Sequence, residues 1–161
     1  MNRTLIGLLA LTLAACAGLA ARQSQPKDVS ATALWASLKA ENYAATWKIW
    51  PGKGKFYQGR EPHGMLLTTY VNDLALGAIQ GKKGTMPPGA IVVKENYTPQ
   101  RQLAAVTVMW KVQGYNPSAG DWFWAKYGPN GAVQKAGKVA GCINCHGKAA
   151  GNDYLFTGSL R

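Results

Sequence analysis

The sequence has few acidic residues. Seven Asp and Glu stand against 18 Lys and Arg, which gives its 161 residues a formal net charge of +11. Chains this basic often bind nucleic acid. The basic residues are scattered singly or in pairs, however, and neither a run of five nor a nucleic-acid-binding motif occurs. We therefore expect no nucleic-acid partner. We interpret the charge as a solvated basic surface suited to an acidic partner or an anionic lipid.

Charged residues are also scarce in total, at 16%, which argues against a disordered chain or a long helical bundle. Glycine is abundant instead, with 19 residues, as are tryptophan, with six, and tyrosine, with seven. This composition favours sheets joined by tight turns. The length predicts one domain that can bury a hydrophobic core.

The apolar run near the N-terminus, residues 5–15, is too short to span a membrane. It follows Arg3, and together they predict a signal peptide over residues 1–15. Residues 13–16, Leu-Ala-Ala-Cys, resemble the bacterial lipoprotein box, in which Cys16 is acylated and begins the mature chain. The alternative is an ordinary signal that is cut a few residues later. We predict export to the periplasm with a membrane anchor at Cys16, followed by a flexible tether over residues 16–31.

Residues 32–161 read as one domain of short strands and helices. Residues 32–50 have the apolar spacing of one amphipathic helix or two short ones, which Pro51-Gly52 ends. Residues 72–84 predict a short helix that begins at a polar cap. Strands are predicted over residues 65–71, 90–95, 102–115 and 120–128. The fold class is therefore α+β, mainly an antiparallel sheet with a few packed helices.

Cysteine and histidine are scarce, and most of them fall in one motif. The chain has three Cys and two His, and Cys142, Cys145 and His146 form Cys-x-x-Cys-His. Two thiols on one side of a helical turn can form thioethers with the two vinyl groups of a haem, and the next His then faces the iron. Zinc would need a further ligand pair, and a redox disulfide would need a thioredoxin-like strand and helix. Export agrees with haem c, which is attached outside the bacterial cytoplasm. We predict a mono-haem c-type cytochrome with His146 as the proximal iron ligand.

The sequence does not require a sixth iron ligand. We expect His63, in the segment Glu-Pro-His-Gly, to be a structural or surface residue at a turn, and distal ligation is the alternative. Met65 and Met109 fit strand positions and are expected in the core, whereas Met86 is a loop residue. An open, five-coordinate iron is the expectation. The motif lies 15 residues from the C-terminus, unlike that of small electron-transfer cytochromes c, and residues 85–128 lack the helices of cytochromes c′.

A late haem motif on a β-rich chain resembles the cytochrome P-460 family and its relative cytochrome c′-beta. The matching stretches follow the same order over most of residues 32–161, the predicted haem-binding domain. They are PHGMLLTTYVND (62–73), PPGAIVVKEN (87–96), GDWFWAKYGPNG (120–131) and GCINCHGKAAGNDYLFTGSL (141–160). The resemblance implies an antiparallel β fold, a homodimer, and a haem on His146 whose other side is open.

The resemblance also implies reaction with, or binding of, small nitrogen species such as nitric oxide or hydroxylamine, and a periplasmic redox partner. In the P-460 enzymes the Lys that matches Lys94 is bonded to the haem macrocycle and supports hydroxylamine oxidation. Cytochrome c′-beta lacks that bond and binds gases in an apolar pocket. By itself, Lys94 closes an apolar strand and reads as a solvated strand end.

One departure from the family concerns the pocket. A basic residue is expected near Leu67, where this chain is apolar, and no carboxylate can be assigned by motif as a proton acceptor. Position 137 is Gly, and only Asp121 and Glu95 remain as candidates. An apolar pocket favours nitric oxide binding over hydroxylamine turnover by a small margin, so enzymatic activity stays open. A gas-binding protein without turnover and a six-coordinate electron carrier are the alternatives. The predicted pocket residues are Lys94, Leu67, Tyr70, Phe56 and Trp124.

Overall fold

A computed structural model describes residues 29–161. The predicted signal peptide, the lipidation of Cys16 and residues 16–28 of the predicted tether lie outside the described residues. The strands are β1 (Lys48–Ile49), β2 (Tyr57–Gln58), β3 (Leu66–Val71), β4 (Ile91–Tyr97), β5 (Leu103–Lys111), β6 (Trp122–Tyr127) and β7 (Val133–Gly137). The helices are α1 (Ala31–Ala40), α2 (Tyr43–Thr46), α3 (Asp73–Gln80) and α4 (Ala140–His146), with 3₁₀ turns at Pro117–Ala119 and Gly147–Asn152.

The seven strands form one antiparallel sheet. Strands β3 to β7 pair in chain order as a meander, and β1 and β2 both pair with β3, near its opposite ends. The α+β class with a mainly antiparallel sheet is confirmed. The four longer predicted strands match β3, β4, β5 and β6 within a few residues, whereas β1, β2 and β7 were not predicted. Strand β7 is mostly exposed, with little apolar alternation, so its sequence resembles a polar loop.

The N-terminal helical segment is two helices rather than one. Ser30 caps α1 by accepting a hydrogen bond from the Ala33 N–H through its side chain. Asn42 then adopts a left-handed conformation, with φ 50°, and this reverses the chain before α2. Helix α1 buries Leu34 and Leu38 against the sheet. None of the helices in residues 29–161 is both long enough and apolar enough to cross a membrane.

The sheet has two different faces because successive side chains of a strand point to opposite sides. On β4, Val93 belongs to the core beneath α1, while Val92 belongs to a second core under α3 and α4. The second core includes Met109 and Trp124 of the neighbouring strands. The haem motif therefore lies over the face that carries the even-numbered residues of β4.

Candidate haem site

Helix α4 places the three residues of the motif on one turn. It begins after Val139 and ends at His146, so Cys142, Cys145 and His146 lie at spacings of three and one. Cys142 is partly buried, Cys145 is exposed and His146 is buried. Burial raises the pKa of the Cys142 thiol. Among the residues that the structure describes, neither cysteine forms a disulfide, as attachment of a haem requires.

The His146 imidazole is oriented by a backbone carbonyl. Its Nδ1 lies 2.7 Å from the Tyr154 carbonyl oxygen, and because a carbonyl can only accept, Nδ1 carries the hydrogen. The ring packs edge-on against Trp124 and Phe156, with ring centres 4.7 Å and 5.4 Å away. Nε2 is left as the lone-pair nitrogen. Metal-ligating histidines typically show this arrangement, in which a backbone or carboxylate oxygen fixes the other ring nitrogen.

The Tyr154 carbonyl is itself held in place through Asp153. Asp153 and Tyr154 both have left-handed backbone angles, φ 52° and 65°. The Asp153 carboxylate pairs with Lys111 Nζ at 2.6 Å and accepts a hydrogen bond from the Met86 N–H at 2.7 Å. Its carbonyl accepts a hydrogen bond from the Trp122 indole. Sequence reasoning noticed this Asp only as part of the tail motif. The pairing joins residues 42 positions apart, which no local pattern reveals.

A cavity of about 280 Å³ opens beside α4. Its walls are mostly apolar, and Val92, Met109, Trp124, Leu155 and Phe156 contribute to them along with both cysteines and His146. Among the described residues that line it, none is Asp or Glu. The apolar walls suit an apolar group attached to α4.

Three lysines supply the positive charge of the cavity: Lys94, Lys126 and Lys135. Burial lowers the pKa of Lys94 to about 8, with a smaller contribution from the charge of Lys53. The neutral fraction of the Lys94 amine near neutral pH is therefore larger than that of an exposed lysine, although the ammonium form still predominates. In the described part of the chain, Lys94 forms no ion pair. This places Lys94 on the cavity wall and not at a solvated strand end.

These residues fit a haem c. The donor set is two free thiols and a histidine with Nε2 free, and the lysines match the two carboxylates that every haem carries. The Trp124 indole N–H is buried, and within residues 29–161 it has no hydrogen-bond acceptor. A bound group with an acceptor atom would satisfy that donor. No cluster of three or more His, Cys, Asp or Glu suited to a metal ion occurs in residues 29–161.

Three of the predicted pocket residues lie away from the cavity. Leu67 is on the same face of the sheet, since it pairs with Asn96 across β3 and β4, but it packs against Gly59. Tyr70 lies on the opposite face, in the core beneath α1. Phe56 packs edge-on against Tyr97, with ring centres 4.8 Å apart. Of the predicted pocket residues, the structure brings together only Lys94 and Trp124 with the motif.

Neither candidate carboxylate reaches the cavity. Glu95 points to the opposite face, where it accepts hydrogen bonds from the hydroxyls of Tyr43 at 3.0 Å and Tyr97 at 2.5 Å. Asp121 closes a turn by accepting from the N–H groups of Gly114 and Asn116. Both carboxylates therefore have structural hydrogen bonds, and neither can act as a base in the cavity.

His63 lines the cavity, contrary to the expectation of a structural or surface residue. Burial lowers its pKa to about 4, assisted by the charge of Lys94, so its imidazole is neutral at pH 7. Met109 also lines the cavity, whereas Met65 is exposed and Met86 is buried in the core. Sequence reasoning missed His63 because a turn pattern does not indicate where a side chain points.

The comparisons with known proteins agree with this geometry. A family model described as cytochrome P460 matches residues 45–157 of the chain. The matched residues include the whole of α4 and all seven strands. No curated protein matches the chain.

Proposed function

The chain belongs to the cytochrome P460 family, and from that premise we propose that it is an exported mono-haem c-type cytochrome that binds small uncharged nitrogen species, with nitric oxide as its ligand. One observation carries the proposal: the cavity beside His146 is mostly apolar and has no Asp or Glu among its described lining residues. An uncharged diatomic molecule loses little hydration free energy when it enters an apolar cavity, whereas a charged ligand loses a great deal.

Each residue of the site has a role in this proposal. Cys142 and Cys145 would attach the group, and His146 would bind the iron through Nε2 while the Tyr154 carbonyl orients its ring. Lys126 and Lys135 line the cavity and would balance the haem carboxylates. When bound, the haem supplies an iron that takes one small ligand and exchanges one electron. The apolar walls would disfavour water at the ligand position.

A second candidate function, oxidation of hydroxylamine, is favoured by Lys94. Its amine lies on the cavity wall and its pKa is lowered to about 8, so a neutral amine is available beside the haem position. In this alternative Lys94 is bonded to the haem, as in the P-460 enzymes, and electrons pass to a periplasmic redox partner. The absence of a lining carboxylate among the described residues weighs against it, because hydroxylamine oxidation releases protons that need an acceptor.

Ligand titration of the purified holoprotein tests the first function. Under anaerobic conditions, the dithionite-reduced protein should bind nitric oxide and carbon monoxide with saturation at one ligand per haem, seen by visible absorption. Lys39→Met removes one exposed charge of α1, and this variant should bind both gases as the wild type does. A reduced haem whose spectrum neither gas changes would contradict the proposal and favour the electron carrier.

Tryptic digestion tests the second function, because trypsin does not cleave after a modified lysine. If Lys94 is bonded to the haem, residues 84–101 remain one peptide, joined through the haem to residues 139–148. If Lys94 is free, residues 84–94 are released as a separate peptide of unmodified mass. Steady-state hydroxylamine oxidation with a soluble electron acceptor should then be absent, and in a cross-linked protein Lys94→Met should abolish it.

We also propose that the protein is a homodimer anchored to a bacterial membrane by a lipidated Cys16. Lipidation predicts a mature chain whose first residue is an acylated Cys16, measurable by intact mass, and release of the Cys16→Ser variant from the membrane fraction. An unacylated mature chain would contradict the anchor. Light scattering during gel filtration should give twice the monomer mass, and a monomer mass would contradict the dimer.

A further inference from the structure

The exposed residues among those that line the cavity identify its mouth. They are Pro62, Lys135 on β7, Gly141 and Cys145 on α4, and Phe156 of the C-terminal tail. The other cysteine of the motif, Cys142, is partly buried, and His146 is buried. A haem attached to both cysteines would therefore have one edge at the protein surface, beside Cys145.

The segment that forms this side of the cavity carries charge of only one sign. Residues 122–152 span β6, β7 and α4, and they contain four lysines but no Asp or Glu. The two carboxylates that border the segment are used inside the fold. Asp121 accepts hydrogen bonds from backbone N–H groups of a turn, and Asp153 pairs with Lys111. Neither of them neutralises the lysines of the segment.

Two of these lysines are direct neighbours across the sheet. Lys126 of β6 and Lys135 of β7 are register partners, and both line the cavity. Like charges directly opposite each other on antiparallel strands destabilise a sheet. Neither lysine forms an ion pair with another of residues 29–161. The pair lies at an edge of the sheet, because β7 is the terminal strand of the sheet order, and a negative charge from outside the chain would relieve its repulsion.

A further lysine lies on the α4 side of the mouth. Lys148 follows Cys145 by three residues, in the helical turns that continue α4, so the two residues share one side of those turns. Both are exposed. Next to the lining residue Pro62, the charge of Glu61 is offset by the adjoining Arg60. The exposed edge at Cys145 is thus flanked by positive charge on both β7 and α4.

We propose that the surface formed by Lys126, Lys135, Lys148 and Cys145 is the docking site of an acidic electron-transfer protein. This inference rests on the haem of the proposed function, and it specifies the location and the charge of the redox partner's contact. One electron passes from the ferrous iron through the exposed haem edge to the oxidised cofactor of the partner. The iron becomes ferric, the partner is reduced by one electron, and no atom is transferred. Opposite charges would steer the partner to this edge and raise its association rate.

Two inorganic oxidants of opposite charge test the electrostatics of this edge in the reduced holoprotein. Stopped-flow mixing with the anion hexacyanoferrate(III) should give a rate constant that falls about threefold or more between about 20 mM and about 200 mM ionic strength, because salt screens the attraction. The rate constant with the cation tris(phenanthroline)cobalt(III) should rise over the same range. A rate constant with the anion that does not fall would overturn the inference.

Charge-reversal variants separate this surface from the overall charge of +11. At about 100 mM ionic strength, where the Debye length is about 10 Å, Lys135→Glu and Lys148→Glu should each slow the anion about twofold or more and accelerate the cation. A changed reduction potential would instead move both rates in the same direction. The matched control is Lys48→Glu, on exposed β1 at the opposite edge of the sheet, about 24 Å away at about 4.8 Å per strand. Equal effects of Lys48→Glu and Lys135→Glu would contradict a local docking site.

Poly-L-glutamate serves as the probe for an acidic protein surface. It should slow oxidation by hexacyanoferrate(III) in the wild type and in Lys48→Glu, and much less in the double variant Lys135→Glu/Lys148→Glu. Equal inhibition of the double variant would count against docking at these lysines. Far-ultraviolet circular dichroism and the haem absorption spectrum check that every variant folds and carries its haem.

Anionic vesicles test whether the surface faces a membrane instead. At about 150 mM ionic strength, the Cys16→Ser holoprotein should not sediment with vesicles of phosphatidylglycerol and phosphatidylcholine. If it does, and Lys135→Glu/Lys148→Glu releases it, the surface binds lipid and the inference is wrong. Failure of the proposed function is a separate outcome. If neither nitric oxide nor carbon monoxide binds the reduced haem while the charge dependences hold, the docking site is supported and the gas-binding function is wrong.

Discussion

Lys94 and Glu95 are neighbours on β4, and they project to opposite faces of the sheet. Glu95 is buried beneath the helical face, where two tyrosine hydroxyls donate to its carboxylate. Lys94 lines the cavity and forms no ion pair among residues 29–161. The Glu95 carboxylate thus has two hydrogen-bond donors on its face of the sheet, whereas Lys94, beside the haem position, has no ion-pair partner in residues 29–161. A buried ionisable group without a partner costs stability, and such groups occur mainly where they serve a function.

The same contrast exists between two lysines of the cavity face. Lys111 is buried and pairs with Asp153 at 2.6 Å, which anchors the C-terminal tail and, through Tyr154, the His146 ring. In the described part of the chain, Lys94 has no comparable ion pair. The difference separates cations that hold the site together from the cation that is available to the bound group. Four substitutions, each with its control, test the contrast between the two lysines and the contrast between the two faces of the sheet. They follow in order of decreasing expected effect.

Asp153→Ala should have the largest effect on stability. It leaves the Lys111 ammonium buried without its partner, and breaking a buried pair in this way costs about 3–5 kcal/mol. Denaturant unfolding of the holoprotein measures the loss, and the haem absorption bands should shift as well because the Tyr154 carbonyl loses its support. Asp73→Ala, at the exposed start of α3, should cost about 0.5 kcal/mol or less. Equal losses in the two variants would contradict an anchoring role for Asp153.

Leu38→Ala should destabilise the opposite face by about 3 kcal/mol, because it removes a fully buried side chain of α1. The haem absorption and the spin state should stay unchanged, since Leu38 lies on the opposite face of the sheet and is not among the residues that line the cavity. Lys39→Ala, exposed on the same helix, is the matched control and should have little effect on unfolding. A spectral change in Leu38→Ala would show that the two faces are not independent.

The sequence predicted the strands and helices better than it predicted which face of the sheet each side chain occupies. Strands β3 to β6 and helix α3 follow from alternation, caps and turn residues, which are local. The motif residues Cys142, Cys145 and His146 share one helical turn, so their proximity is local too. Glu95 and Tyr70, by contrast, were interpreted without knowing which face of the sheet each residue takes. That choice depends on which face α1 covers, a tertiary property.

The environment of the cavity could not be predicted for a related reason. His63 approaches His146 only because the β2–β3 loop packs on β4, and the Lys111–Asp153 pair forms only when the C-terminal tail crosses the sheet. Both contacts join distant segments. A Lys that closes an apolar strand was the one local indication of Lys94, and solvated strand ends look the same in sequence.

Glu95→Leu tests how much the hydrogen-bonded Glu95 carboxylate contributes to stability. It should cost about 2 kcal/mol, because the hydroxyls of Tyr43 and Tyr97 lose their buried acceptor. Adding Tyr43→Phe should restore part of that loss, since one unpaired donor is removed. Lys94→Met, one residue earlier, should not destabilise the protein, because it removes an ammonium whose charged form is disfavoured by burial, but it should alter the haem spectrum. If Glu95→Leu alters the spectrum and Lys94→Met does not, the assignment of the two faces is wrong.

The smallest effect is expected in alkaline solution, on the helical face. Burial raises the pKa of Tyr70 from 10.0 to about 12, with a further contribution from the Glu95 charge. Between these pH values the native chain holds a proton that the unfolded chain has lost, so the stabilising contribution of Tyr70 is complete below pH 10 and disappears as the pH rises towards 12. Tyr70→Phe should therefore lose less stability than the wild type between about pH 9 and about pH 11, measured by denaturant unfolding. The haem spectrum should respond identically to pH in both proteins, because Tyr70 does not face the cavity. An equal alkaline loss of stability in the two proteins would mean that the Tyr70 hydroxyl is not held protonated by this face of the sheet.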